Sequence, residues 1–115
     1  MDHERRKHPR YCAETLLEAW DAESNERIGS VVDLSEGGAM LYCMRLPSEG
    51  VVLACRIATG PRPQDTSVVA TLDCLWTRPA SQGDGGWAGF QIVALQDARA
   101  LSDLLRTLPS FEPKD

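Results

Sequence analysis

The stretch SVVATLDCLWT, residues 67–77, constrains the fold most. Val68, Ala70, Leu72, Cys74 and Trp76 alternate with Val69, Thr71, Asp73, Leu75 and Thr77. Successive side chains of a strand point to opposite faces, so this period-2 pattern predicts a half-buried strand of the kind found in antiparallel sheets. Four shorter segments have the same character: IGSVVDL from 28, AMLYCM from 39, VVLACRIA from 51 and GWAGFQIV from 86. Each is bounded by Gly, Pro, Ser or Asp, the residues that end strands in turns. Connections such as TGPRPQD and RPASQGDGG are too short to hold crossover helices, so parallel pairing is excluded. Several antiparallel strands with edges to protect predict a small barrel or sandwich.

The two ends differ from this pattern. In LQDARALSDLLRTLP, Leu101, Leu104, Leu105 and Leu108 recur at i, i+3, i+4 and i+7. Asp97 is placed to cap the start and Pro109 to stop the run, which predicts an amphipathic helix over 97–108 packed on the sheet, with a tail at 109–115. Residues 1–10 have no apolar periodicity, and Pro9 biases His8 toward extended geometry, so they are expected to form a flexible arm. The next stretch, YCAETLLEAWD, is ambiguous. Ala13, Leu16, Leu17 and Trp20 fit a helix, whereas Tyr11, Ala13, Thr15, Leu17 and Ala19 fit one strand face. Propensity slightly favours the helix. At 115 residues the whole chain, 1–115, is expected to be one domain with its barrel at 11–94.

Charge is unevenly distributed. Residues 1–10 hold four Lys/Arg against two Asp/Glu, a balance of +2, and the remaining residues hold eight against fifteen, a balance of −7. An acidic body does not offer the wide basic footprint that nucleic-acid polymers need, nor the basic, aromatic-lined groove of a single-strand-binding barrel. A small anion needs only a local cluster such as the arm. Cys12, Cys43, Cys55 and Cys74 show no CxxC pair, and His3 and His8 both lie in the arm, so no zinc set forms and the thiols are expected to be reduced and mostly buried. Without an apolar run long enough to span a bilayer, and without a signal segment, the expected location is cytoplasmic with no membrane partner. No Ser/His/Asp set, Walker-type loop or metal cluster is readable, so the chain is not expected to be an enzyme or to carry a cofactor.

Two short motifs carry the functional signal. Arg6 and Arg10 form RxxxR in the arm, and DLSEGG supplies Asp33, Ser35 and Gly38 as DxSxxG at the end of a predicted strand. In this order, followed by short strands and a closing helix, they resemble the PilZ domain family, bacterial receptor modules for cyclic diguanylate (cyclic di-GMP). The resemblance implies a six-stranded antiparallel β-barrel with a C-terminal helix, and it makes residues 11–20 a strand. It also implies that Arg5, Arg6, Arg10, Asp33, Ser35 and Gly38 contact cyclic di-GMP. The residue preceding the first motif arginine, here Arg5, influences in that family whether one or two ligand molecules bind. In some members an aromatic residue near position 76 stacks on a guanine; for Trp76, stacking and core packing both remain open. Arg78 is either a phosphate contact or a solvated loop arginine, and Trp20 and Trp87 are expected to pack in the core or at a barrel end.

The residue types suit that ligand on chemical grounds. Arginine forks bind phosphate and the O6/N7 edge of guanine in a bidentate way. A carboxylate accepts from guanine N1–H and N2–H₂, and a hydroxyl adds a donor or acceptor. Asp33 and Ser35, two apart on an extended segment, are expected to face one surface, and Gly37 and Gly38 to allow a positive-φ turn. The expected function is a receptor or adaptor whose arm orders over cyclic di-GMP and signals to a protein partner. The alternative is a PilZ-like module that binds protein without nucleotide.

Overall fold

The computed structural model describes residues 11–12, 17–60, 62 and 64–106. The elements are β1 (Tyr11–Cys12), β2 (Glu18–Asp21), β3 (Arg27–Leu34), β4 (Gly38–Cys43), β5 (Val52–Ala58), β6 (Ser67–Pro79), β7 (Gly86–Leu95) and α1 (Ala98–Arg106). β3 pairs with β2, β2 with β5, β5 with β6, β6 with β7, β7 with β4 and β4 back with β3, every pair antiparallel. Six strands therefore close on themselves, which removes the unpaired edges that an open sheet of this size would expose. This is the mostly-β, six-stranded barrel with a C-terminal helix that the resemblance implied. The arm, residues 1–10, lies outside the described residues.

The ambiguous first segment resolves into two strand pieces, both on β3. Tyr11 and Cys12 pair with Leu34 and Asp33, and Glu18 and Ala19 pair with Ser30 and Gly29. Leu17 and Ala19 are fully buried, so the strand-face pattern prevails there over helical propensity. Barrel closure decides the matter, because β2 fills the gap between β3 and β5.

Inside the barrel, Leu34, Leu41, Ile57, Leu72 and Phe90 come from five different strands and share one core with Leu101, Leu104 and Leu105 of α1. The helix packs against β6. Asp97 caps it: its Oδ1 accepts from the amides of Arg99 (3.0 Å) and Ala100 (3.4 Å), satisfying donors that have no intrahelical partner. Burying each leucine of its inner face stabilises the docked helix by roughly 1.5–3 kcal/mol. No helix among the described residues is long and apolar enough to cross a membrane.

Candidate functional site

Two β-bulges decide which way the candidate residues face. Along β3, Val31 pairs with Leu41 and Asp33 with Met40, leaving Val32 as an extra residue. Strict alternation would send Asp33 inward with the buried Val31; the extra residue shifts the phase, so Leu34 is buried and Asp33 stays partly exposed. β6 repeats the device. Val68, Ala70, Leu72 and Cys74 are buried as the alternation predicts, but Cys74 pairs with Phe90 and Trp76 with Gly89, with Leu75 as the extra residue. Trp76 is thereby moved off the inner face and is 37% exposed. The expectation that Trp76 shares a side with Val68 through Cys74 is corrected by that bulge, and the core alternative for its ring is removed.

The registers then line these residues up. Asp33 pairs with Met40, Met40 with Gly89, and Gly89 with Trp76. One lateral row crosses the outside of the barrel from β3 through β4 and β7 to β6. Along the curved surface its ends are three strand spacings apart, about 14 Å, half-way round the six-stranded barrel. Gly89 leaves the space above β7 open, and the Trp76 indole fills it: a Cβ on Gly89 would fall within 2.6 Å of Cζ2 and nearer still to Nε1 and Cε2. Met40, half-buried, stands between Asp33 and Gly89 in the row. Neither Gly89 nor Met40 was singled out from sequence. A glycine inside a strand pattern is the one sequence signal that marks a close approach at 89.

The DLSEGG turn has a tighter construction than alternation suggested. Ser35 lies just past the end of β3, and its Oγ accepts from the amides of Gly37 and Gly38, each at 3.2 Å. Its own amide donates to the Gly38 carbonyl at 2.9 Å. The hydroxyl therefore braces the turn that follows Asp33. The Gly37 carbonyl accepts from the Ile92 amide (2.9 Å), fastening the turn to β7. The expected positive φ is not found at this turn; the described positive-φ glycines are Gly50, Gly83 and Gly85. Gly38 is required for another reason, since a Cβ there would stand 2.5 Å from the Phe90 carbonyl oxygen.

A second row runs beside the first, two residues away on β4, β7 and β6 and three on the bulged β3: Ser30, Tyr42, Trp87 and Arg78. Trp87, at the start of β7, is 37% exposed and meets Tyr42 edge-on at 5.3 Å, so of its two expected positions the core is corrected and the barrel end fits. It falls on the outer phase of β7, between the buried Gly86 and Ala88. Trp20, by contrast, is buried, with the Arg56 guanidinium 4.8 Å over its ring. Arg78 belongs to β6 rather than to a loop, and its guanidinium lies 5.8 Å over the Trp76 ring. The Tyr42 hydroxyl donates to the Asp84 carbonyl (3.0 Å), holding the β6–β7 turn against β4.

Arg5, Arg6 and Arg10 lie outside the described residues, but the point where the arm joins the barrel is fixed. Tyr11, next after Arg10, pairs with Leu34, and Cys12 pairs with Asp33. β1 thus runs beside the end of β3, where the DxSxxG turn begins. Cys43, Cys55 and Cys74 are buried free thiols, as expected. Burial is the main cause that pushes Cys43 up to about 11 and Cys55 to about 12, and it raises Cys74 as well, so all three are inert at neutral pH. Among the described residues, no group of three or more His, Cys, Asp or Glu is placed to hold a metal ion.

A closed six-stranded barrel whose first strand pairs beside a DxSxxG turn, with a helix packed on its core, has the architecture of a PilZ-type module. The family model for the PilZ domain matches residues 4–108, so it takes in the arginine motif, the turn and α1, and the chain belongs to the PilZ domain family of ligand-binding receptor modules. Among solved structures, the chain is similar to the Bacillus subtilis inhibitor of motility MotI/DgrA, with a TM-score of 0.69 and 16% identity over 90% of this chain. It spans 49% of that longer protein. It is also similar to the PilZ domain with c-di-GMP of YcgR from Escherichia coli, with a TM-score of 0.66 and 17% identity, covering 91% of this chain and 92% of that one. No curated protein matches the chain.

Proposed function

We propose that the protein is a cyclic di-GMP receptor whose arginine arm closes over the outer row running from Asp33 to Trp76, and whose altered surface is read by a protein partner. The observation that carries this reading is the pairing of Tyr11 and Cys12, the residues that follow Arg10 in sequence, with Leu34 and Asp33 at the DxSxxG turn. Family membership and the likeness to a PilZ domain that holds c-di-GMP support it.

The site's chemistry divides among this chain's own groups. The Asp33 carboxylate accepts from the Watson–Crick edge of one guanine, and the turn braced by Ser35 sets that carboxylate's position. The Trp76 indole offers a plane for a base, worth about 1–3 kcal/mol; Arg78 swings outward to admit it and covers its far side. The phosphates need clustered cations, and Arg6, Arg10 and Arg5 supply them beside a body whose charge balance is −7. Reach is sufficient: an extended arm covers about 3.3–3.6 Å per residue, so the ten residues before Tyr11 exceed the 14 Å row. Charge-assisted contacts contribute roughly 1.5–3 kcal/mol each, and micromolar binding needs about 8 kcal/mol after ordering costs, so neither motif suffices alone. Binding makes the arm a fixed part of the surface and converts ligand concentration into a change of shape and charge. Recognition rather than catalysis is the task of such a site, in the cytoplasm where the nucleotide acts as a signal.

The test is an NMR titration with cyclic di-GMP. The expected result is a set of shifts confined to the arm, Asp33 to Gly38, Gly89 and the Trp76 indole N–H. Shifts centred on α1 or on β5, with the DxSxxG turn silent, overturn the proposal.

A further inference from the structure

We infer that Gly89 is a positioning residue for ligand recognition: it seats the Trp76 indole, so that the plane offered to a base is in place before the ligand arrives. This rests on the receptor reading above and extends it to a residue in neither motif. Three observations carry it. The Leu75 bulge brings Trp76 opposite Gly89 rather than into the core. Three atoms of the indole occupy the volume that any Cβ at 89 would take. The ring is also only 37% exposed, so the glycine seat buries a large part of a side chain that carries no strand above it.

A methyl group at 89 would oblige the ring to rise by roughly 1 Å to regain a van der Waals separation of about 3.5 Å. The ring cannot relieve this by sinking, because the obstacle is attached to the β7 backbone, which is paired on both sides, to β6 and to β4. Once lifted, the indole loses its seat and regains side-chain freedom. That freedom must then be surrendered on stacking, so affinity falls although no atom that touches the ligand has been removed.

A double-mutant cycle separates this role from a general structural one. Cyclic di-GMP affinity is measured by calorimetry on the wild type, Gly89→Ala, Trp76→Ala and the double variant, with thermal melting of each. The expected result is a loss of at least about fivefold for Gly89→Ala, approaching that of Trp76→Ala. In the Trp76→Ala background the same change is expected to alter affinity by less than about twofold, because no indole is left to displace. The fall in melting temperature caused by Gly89→Ala is also expected to shrink in the Trp76→Ala background, since the clash is gone. Wild-type affinity in a folded Gly89→Ala protein overturns the inference, as do losses that multiply in the double variant. If Gly89→Ala does not fold, recovery of folding in the double variant supports the seat, and failure of both overturns it. A wild type that binds no cyclic di-GMP overturns the receptor reading itself; binding with multiplicative losses overturns only the role of Gly89.

Discussion

Trp76 and Trp87 lie on the same outer face, each 37% exposed, and the account assigns them different tasks. Their equal exposure makes each the control for the other. Replacing either by alanine removes a ring of which roughly 150 Å² is buried, an upper-bound loss of about 4 kcal/mol at 25 cal/mol per Å². A domain of this size has roughly 6–17 kcal/mol of stability, so both variants are expected to fold, with similar falls in Tm. Their affinities are expected to part. Trp76 ends the row that begins at Asp33, so Trp76→Ala removes a stacking contact of about 1–3 kcal/mol and weakens cyclic di-GMP binding about 5- to 150-fold. Trp87 sits one row away with its edge against Tyr42, and Trp87→Ala is expected to change affinity by less than about threefold. Calorimetry on the two variants, with circular dichroism melts beside it, gives the comparison. Undiminished binding in Trp76→Ala, or a larger loss in Trp87→Ala, would refute the assignment of the row.

Other expectations concern the barrel and its charges. Leu104→Ala empties a fully buried site where α1 meets the core and is expected to cost about 2–5 kcal/mol, read as a drop in Tm of roughly 10 °C or more. Cys43 and Cys55 titrate near 11 and 12 when folded and at 9.0 when free. Because folding raises both values, the stability this linkage contributes is fully present below pH 9 and lost as pH rises toward 11 and 12. Denaturant midpoints should therefore fall through that window, and less steeply in a Cys55→Ala variant. Ligand affinity should weaken steadily from low to high ionic strength, because the arm's cations meet phosphates in competition with an acidic body; an affinity independent of salt would count against arm closure.

Much of the architecture was legible because the signals are local. The five segments beginning at 28, 39, 51, 67 and 86 all became strands, since alternation bounded by turn residues is a property of the segment itself. The helix was legible for the same reason: Leu101, Leu104 and Leu105 fall on one stripe and Asp97 stands at the cap. What local pattern misjudged were the positions where pairing with another strand changes the phase. Trp76 continued the inward series by count, and only the match of Cys74 and Trp76 to Phe90 and Gly89 reveals the extra residue between them. By residue type Trp87 fits the core or a barrel end, and only the phase of β7, which turns it outward between two buried neighbours, decides against the core. Gly38 was recognised, but for a backbone freedom that it does not use; the Phe90 carbonyl that excludes a side chain there lies about fifty residues away in sequence. Ser35 was recognised for its polarity, and its brace on the Gly37 and Gly38 amides depends on turn geometry that strand alternation cannot supply.

Calorimetric titration of the purified protein with cyclic di-GMP, alongside an Arg10→Ala variant, tests the central claim most directly. The account predicts micromolar binding by the wild type and a loss of at least about tenfold in Arg10→Ala, with an unchanged melting temperature. No heat at tens of micromolar ligand, or an Arg10→Ala protein that binds as well as the wild type, would contradict it.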